Sequence, residues 1–174
     1  VQEFGDRWKT DESSMTDFMN KISYHETDGT LDPKMHQYEG GQGRGLFQYE
    51  MGKDKGGMTA RNRLEDWYQM HDKEVPEWLM QNNMDEIGFD ASRLTDEQQR
   101  MLFLADKRFM KDARLDPEST QDAGEWWANY HWKGTDDKRG ERIKKFESDE
   151  DDWYDEEYIK GTVTEAGSDA FPIV

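Results

Sequence analysis

The sequence contains no cysteine and has no run of apolar residues long enough to cross a membrane. The first absence excludes disulfides, thiolate nucleophiles and cysteine-based metal sites. Because a membrane-spanning helix needs about 20 consecutive apolar residues, we expect no transmembrane helix. The opening stretch VQEFGDRWK lacks the basic-then-apolar pattern of a secretory leader, so we also expect no signal peptide in the chain.

Hydrophobic residues are scarce, at 33% of the 174 residues, whereas charged residues make up 36%. Aromatic residues nevertheless reach 13%, with seven Trp, which favours a folded domain with a small aromatic core over a disordered chain. Basic residues are also few, 23 against 40 acidic ones, and the net charge is −17. This charge disfavours nucleic acid or an anionic membrane surface as a partner, because both would repel the protein.

The apolar pattern predicts a mainly α domain with one small irregular or β region directly after the first helix. Gly29 is predicted to end this helix in a left-handed cap. The buried face of the helix is predicted from four residues at the i, i+3, i+4 and i+7 positions: Met15, Phe18, Met19 and Ile22.

Later elements are predicted from caps and periodicity. Thr95 and Gln98 have the spacing of a capping box, which predicts the start of a helix. Gly45 to Tyr49 is predicted as a short strand or an extended segment, because turn-forming glycines precede it. The later helices are predicted over residues 95–112, 123–132 and 136–146.

The composition changes after residue 146, where the acidic stretch ESDEDDWYDEEY begins. We therefore divide the chain into a domain over 1–146 and an acidic C-terminal tail over 147–174. The tail is predicted to be solvated or disordered. The alternative is a segment that docks on a partner protein through its apolar residues, which are Trp153, Tyr154, Phe171, Ile173 and Val174.

Glu26, at the predicted end of the first helix, is the leading candidate for chemistry. A carboxyl beside aromatic walls can hold a proton near neutral pH, because burial disfavours its charged form. It can then donate that proton to a glycosidic oxygen, which is the first step of sugar-chain cleavage. Since the chain has 40 acidic residues, this interpretation depends on the residues around Glu26.

Those residues resemble the motifs of the soluble lytic transglycosylases, a group within the lysozyme superfamily. His25-Glu26-Thr27 stands where the family has Glu-Ser, and threonine keeps the hydroxyl. Gly45-Leu46-Phe47-Gln48 follows at the family's separation and matches its Gly-Leu-Phe-Gln motif. The stretch ANYHWKG, residues 128–134, is a looser counterpart of Ala-Tyr-Asn-x-Gly, with His131 in place of Asn and an extra residue before the glycine.

The resemblance implies a lysozyme-like helical fold for residues 1–146 and a role for each matched residue. Glu26 would be the general acid and then the base, and Thr27 would support its orientation. The backbone of the second motif would line a glycan cleft with Gln48, and Tyr130 would reach from the opposite wall. No metal or cofactor is implied. The implied substrate-binding residues are Thr27, Gly45, Leu46, Phe47, Gln48 and Tyr130.

The implied reaction is cleavage of the β-1,4 bond between N-acetylmuramic acid and N-acetylglucosamine in peptidoglycan, leaving a 1,6-anhydro end. A lysozyme-type hydrolase of the same bond is the nearest alternative, and inverting hydrolysis needs a second carboxylate. Glu50 is the first candidate for that carboxylate, with Asp28 and Glu39 behind it. A further alternative is a catalytically inactive structural or adaptor virion protein with the same fold.

The 98–106 helix, the WWANYHWKG stretch and the acidic tail also resemble the virion-associated lysins of tailed phages. That resemblance implies a protein of the phage tail or interior that acts on the host cell wall in the periplasm. Its partners would be peptidoglycan strands and, through residues 147–174, other virion proteins. The four histidines lack the spacing of metal ligands, so no metal site is predicted.

Overall fold

The structure is a computed structural model that describes residues 12–80, 88–108, 110, 123–132 and 134–163. In this part of the chain the protein is mainly helical, which confirms the predicted mainly α class. None of the described helices has both the length and the apolarity that a membrane span requires. The chain divides into two compact units: the first consists of Val1–Leu31 and Asp112–Val174, and the second of Asp32–Lys111.

The two units differ in architecture. The first is built from helices alone within the described residues, whereas the second combines helices with a small antiparallel hairpin. In chain order the elements are α1 (Glu12–Glu26), β1 (Gly43–Arg44), β2 (Tyr49–Glu50), α2 (Gly56–Met70), α3 (Glu77–Met80), α4 (Asp96–Arg108), α5 (Ala123–Tyr130) and α6 (Asp136–Val163).

In the first unit, α1 packs against α5 and α6. The predicted apolar face of α1 is buried, and the ring of Phe18 meets the ring of Trp126 on α5 edge-to-face at 4.9 Å. Gly29 ends the helix with a φ of +80°, and its N–H donates to the Tyr24 carbonyl at 2.8 Å. A left-handed turn therefore follows the helix as predicted, but it begins one residue earlier, at Asp28 with a φ of +50°. This backbone fixes the turn directly after Glu26.

The last helix is where the structure departs most from the prediction. The helix predicted to end at residue 146 continues through the acidic stretch to Val163, so the boundary between 146 and 147 falls inside α6. Phe146, Asp149 and Trp153 are buried along one face of α6. The prediction of a disordered tail from residue 147 is therefore wrong as far as Val163. Phe171, Ile173 and Val174 lie outside the described residues.

In the second unit, β1 and β2 pair antiparallel, with Arg44 opposite Tyr49. The four residues between the strands form the turn, so the prediction of a strand or extended segment from Gly45 is wrong except at Tyr49. Left-handed backbone at both ends of the turn, with φ +77° at Gly45 and +49° at Gln48, makes the chain reverse here.

The same unit contains α2 and α4, which pack together around residues such as Leu64 and Leu102. The capping box that begins α4 is confirmed, because the Gln98 N–H donates to Thr95 Oγ1 at 3.2 Å and the Thr95 N–H donates to Gln98 Oε1 at 3.0 Å. Helix α4 is described as far as Arg108. Residues 109, 111 and 112 of the predicted helix lie outside the described residues.

Candidate functional site

Glu26 is the last residue of α1, and its carboxylate faces side chains at the end of α5. Trp127 Nε1 donates a hydrogen bond to Glu26 Oε1 at 2.5 Å. His131 Nε2 lies 3.7 Å from the same oxygen. The Glu26 side chain keeps 17% of its exposure. The carboxylate is therefore held by an indole N–H and remains accessible from solvent.

Thr27 lies in the turn that follows Glu26 and is buried. Its hydroxyl donates to the Ser23 carbonyl at 2.7 Å and accepts from the Leu31 N–H at 2.8 Å. A buried hydroxyl with two backbone partners stabilises the turn. This geometry agrees with an indirect role in orienting Glu26. It gives no support to direct contact between Thr27 and a sugar.

A layer of rings packs beside Glu26. The His25 ring meets the Trp127 ring edge-on, with centroids 4.5 Å apart, and lies 4.8 Å from the Phe146 ring. Trp132 stacks on Trp127, with the centroids of the two rings 5.8 Å apart. The aromatic residues near the third motif are thus core and site wall at once, since Trp127 is buried and also donates to Glu26.

A polar pair lies within this aromatic layer. His25 Nδ1 is 2.7 Å from Asp149 Oδ2, and Asp149 Oδ1 accepts a hydrogen bond from Lys145 Nζ at 2.5 Å. Burial lowers the pKa of His25, although the hydrogen bond to Asp149 acts in the opposite direction. The same carboxylate raises the pKa of Lys145. The lowered pKa favours a neutral imidazole, which donates to Asp149 in the tautomer that carries its proton on Nδ1.

Trp127, His25 and Asp149 are not predicted from the sequence as site residues. For Asp149 a signal is present, because Phe146 and Trp153 stand three positions before and four positions after it, on one helical stripe. Tyr130, which the resemblance assigns to the substrate, ends α5, where its ring centroid lies 5.4 Å from that of Trp126.

The second motif belongs to the second unit and forms the hairpin turn. Leu46 and Phe47 are core residues, with 0% and 1% exposure, and Phe47 stacks on Phe103 with centroids 4.3 Å apart. The Leu46 N–H donates to the side chain of Gln99 at 2.7 Å. Gln48 is half-buried, and its amide nitrogen donates to the carbonyl of Gly45, which begins the same motif, at 2.8 Å. The lining of a glycan cleft by this backbone stays a prediction.

The three candidates for a second carboxylate all lie in turns or at element ends. Asp28 follows Glu26 in the first unit, with a φ of +50°. Glu50 is exposed at the end of β2, and Glu39 is exposed in a short 3-10 turn over Tyr38–Gly40. Among the described residues, no cluster of three or more His, Asp or Glu has the arrangement of a metal site.

No protein-family model matches the sequence, and neither the curated proteins nor the solved structures gave a match.

Proposed function

We propose that this protein is a peptidoglycan lytic transglycosylase with a lysozyme-like domain, in which Glu26 is the general acid and base. The observation that carries the proposal is the Glu26 carboxylate at the end of α1, partly exposed and held by the Trp127 N–H. The order of the three sequence motifs adds support, since Glu26 stands in the position of the family's acid.

The proposed reaction needs only one carboxyl. Protonated Glu26 gives its proton to the glycosidic oxygen, and the C1–O bond of N-acetylmuramic acid breaks with assistance from the N-acetyl group. The 6-hydroxyl of the same sugar then bonds to C1 and gives its proton to the Glu26 carboxylate. The acid is restored, no water is consumed, and the product has a 1,6-anhydro end.

The hydrogen bond from Trp127 supports this proposal because a general acid must be held at a fixed geometry to reach the leaving oxygen. Thr27 and the Gly29 cap add to this, since they fix the turn that follows the carboxylate. A flexible surface glutamate would lack both restraints.

A second candidate function is a structural or adaptor virion protein that has lost activity. One observation favours it. His131 replaces the family's asparagine, and its Nε2 lies 3.7 Å from Glu26 Oε1. The departure from the family pattern therefore falls directly beside the proposed acid. A positive imidazole at this distance would attract the carboxylate and compete with its transfer of a proton.

The test is digestion of purified peptidoglycan, with the products separated and identified by mass spectrometry. We expect wild-type protein to release muropeptides with 1,6-anhydro ends, and Glu26→Gln to release none. Glu141→Gln is the matched control, because Glu141 is an exposed glutamate on α6. Circular dichroism of all three proteins checks the fold. A wild-type protein inactive on several wall types would favour the adaptor function.

The hydrolase alternative is separated from the transglycosylase by Glu50→Gln and by the product ends. A transglycosylase keeps its activity in Glu50→Gln, because the 6-hydroxyl rather than water attacks C1. An inverting hydrolase with Glu50 as its base would lose activity and would yield reducing ends. Detection of the protein in purified phage particles would test the virion setting that the resemblance implies.

A further inference from the structure

A continuous series of contacts in the first unit connects α6 to the proposed acid. Lys145 Nζ donates to Asp149, which is 2.7 Å from His25 Nδ1. The His25 ring contacts the Trp127 ring edge-on, and the Trp127 N–H donates to Glu26 at 2.5 Å. The series joins three helices, α6, α1 and α5, at the point where the carboxylate is presented.

Trp127 depends on its neighbours for its orientation. An indole has two side-chain torsions, so its N–H is aimed only when the ring plane is fixed. His25 meets this ring at an interplanar angle of 78°, and Phe146 lies against it with centroids 5.5 Å apart. Rotation of His25 would therefore open space for the Trp127 ring to turn, and the hydrogen bond to Glu26 would lengthen.

Asp149 in turn fixes the His25 ring. Their side chains retain only 9% and 10% exposure, and the charge-assisted hydrogen bond restricts rotation about the Cβ–Cγ bond of the histidine. The face of α6 that carries Asp149 is otherwise apolar at Phe146 and Trp153. Burying a carboxylate there brings a desolvation penalty that an apolar residue would avoid. The hydrogen bonds from Lys145 and to His25 offset this penalty, and the second of them fixes the His25 ring.

We propose that His25 and Asp149 are positioning residues for Glu26, which keep the Trp127 N–H aimed at the Glu26 carboxylate. The catalytic consequence rests on the proposed function, whereas the geometric consequence can be measured without any substrate. The acidic stretch at the start of the predicted tail thus contributes a residue to the site.

The geometric test is NMR of protein carrying ¹⁵N-labelled tryptophan, which gives one indole N–H signal for each of the seven Trp. Trp127→Phe identifies the signal of interest. We expect that signal to shift and its proton to exchange roughly tenfold faster in Asp149→Asn. The signal of Trp67, in the second unit, should stay unchanged. Asp151→Asn is the matched control, because Asp151 is exposed on the same helix.

A signal from Trp127 that is identical in wild type, Asp149→Asn and Asp151→Asn would overturn the proposal. If Asp149→Asn does not fold, His25→Gln carries the same test, since it keeps a donor for Asp149 but removes the flat ring. We expect the same shift in that variant, and an unchanged Trp127 signal there would likewise overturn the proposal.

The catalytic test uses kcat and KM on soluble glycan strands. Because a positioning residue acts through Glu26 and not through substrate binding, we expect Asp149→Asn to lower kcat roughly tenfold with KM unchanged. An equal loss in Asp151→Asn, or a change in KM alone, would contradict positioning. If wild type has no lytic activity, the proposed function fails, while the NMR result still decides the geometric proposal.

Discussion

Each unit places a carboxylate against an aromatic residue, and the two carboxylates have different surroundings. In the second unit, Asp106 accepts hydrogen bonds from Tyr49 Oη at 2.8 Å and Arg63 Nη1 at 2.7 Å, with Lys107 Nζ 3.1 Å away. Its side chain is 6% exposed. Burial alone would raise the pKa of Asp106, but Lys107, Arg63 and the Tyr49 hydroxyl together lower it.

Glu26 in the first unit keeps a larger exposed fraction, and it is held by a neutral indole and faces an imidazole. A carboxylate enclosed by two cations is fixed in its charged form and serves stability. Glu26 accepts from an indole N–H and remains partly open to solvent, and such access is required of a group that exchanges a proton with a substrate. The two carboxylates are thus distinguished by exposure, since the side chain of Glu26 is 17% exposed and that of Asp106 is 6% exposed.

The largest expected effect is the difference in folding stability between variants of these two carboxylates. Asp106→Asn removes the buried carboxylate that faces Lys107 and Arg63, so we expect the free energy of unfolding to fall by about 3–5 kcal/mol. Glu26→Gln keeps the shape of a partly exposed side chain and should change it by less than about 1 kcal/mol. Urea unfolding measures both values. Equal losses in the two variants would remove the distinction.

The next effect compares the hairpin turn of the second unit with helix α6 of the first. Gly45 has a φ of +77°, and a Cβ placed there would lie 2.1 Å from Gln99 Oε1. We therefore expect Gly45→Ala to destabilise the protein by about 2–4 kcal/mol. Gly140 on α6 has open space around it, so Gly140→Ala should stabilise by about 0.5–1 kcal/mol. Thermal unfolding measures both changes. Similar shifts of the midpoint temperature in both variants would show that the left-handed backbone at Gly45 does not fix the turn.

A smaller effect is expected for the turn that carries Glu26. Thr27→Val removes a buried hydroxyl and leaves the Leu31 N–H without this acceptor, which should lower stability by about 1–2 kcal/mol. The control is Thr59→Val on α2, where the hydroxyl is exposed and its bond to the Lys55 carbonyl is long at 3.4 Å. That change should stay within about 0.5 kcal/mol. Chemical denaturation of both variants checks the difference.

The smallest effect is a dependence of stability on pH that differs between the units. The pKa of His25 is lowered from its ordinary value of 6.5, so the unfolded state binds more protons as pH falls below that value. Stability should therefore decrease as pH falls from 6.5 towards the folded-state pKa. Asp149 opposes this effect, whereas Lys145 and Arg142 strengthen it.

The contribution of Asp106 to stability also decreases as pH falls, but it does so over a different pH range. Because its pKa is lowered from 3.8, its stabilisation is present above that value and is lost only as pH falls below it. His25→Gln should therefore weaken the dependence of the free energy of unfolding on pH just below pH 6.5. The loss of stability below pH 3.8, which belongs to Asp106, should remain. An unchanged slope in that variant would mean that His25 is not responsible.

Much of the fold follows from local sequence signals. The apolar face of α1, the Gly29 cap and the Thr95 capping box are set by residues within one or two turns of each other, so the sequence predicts them. The part of α6 after residue 146 escapes prediction because Asp149 interrupts its apolar stripe and the surrounding acids suggest a solvated segment. The buried carboxylate has one local partner, Lys145, and one distant partner, His25, and the distant partner cannot be read from a sequence pattern.

The candidate site shows the same limit. Glu26 can be singled out from its helix end and its motif. Its hydrogen-bond donor, Trp127, is distant in sequence and lies among several tryptophans that a sequence pattern cannot rank. The second motif can be recognised from its amino-acid sequence. Its conformation, however, depends on a positive φ at Gln48 and on a hydrogen bond from Leu46 to Gln99.

The central claim, that Glu26 is the acid and base of a peptidoglycan lytic transglycosylase, is tested most directly by the products of peptidoglycan digestion. The account predicts 1,6-anhydro muropeptides from wild type and from Glu141→Gln, and none from a correctly folded Glu26→Gln. Digestion by Glu26→Gln at the wild-type rate would contradict the role of Glu26. Reducing ends in place of 1,6-anhydro ends would contradict the transglycosylase reaction.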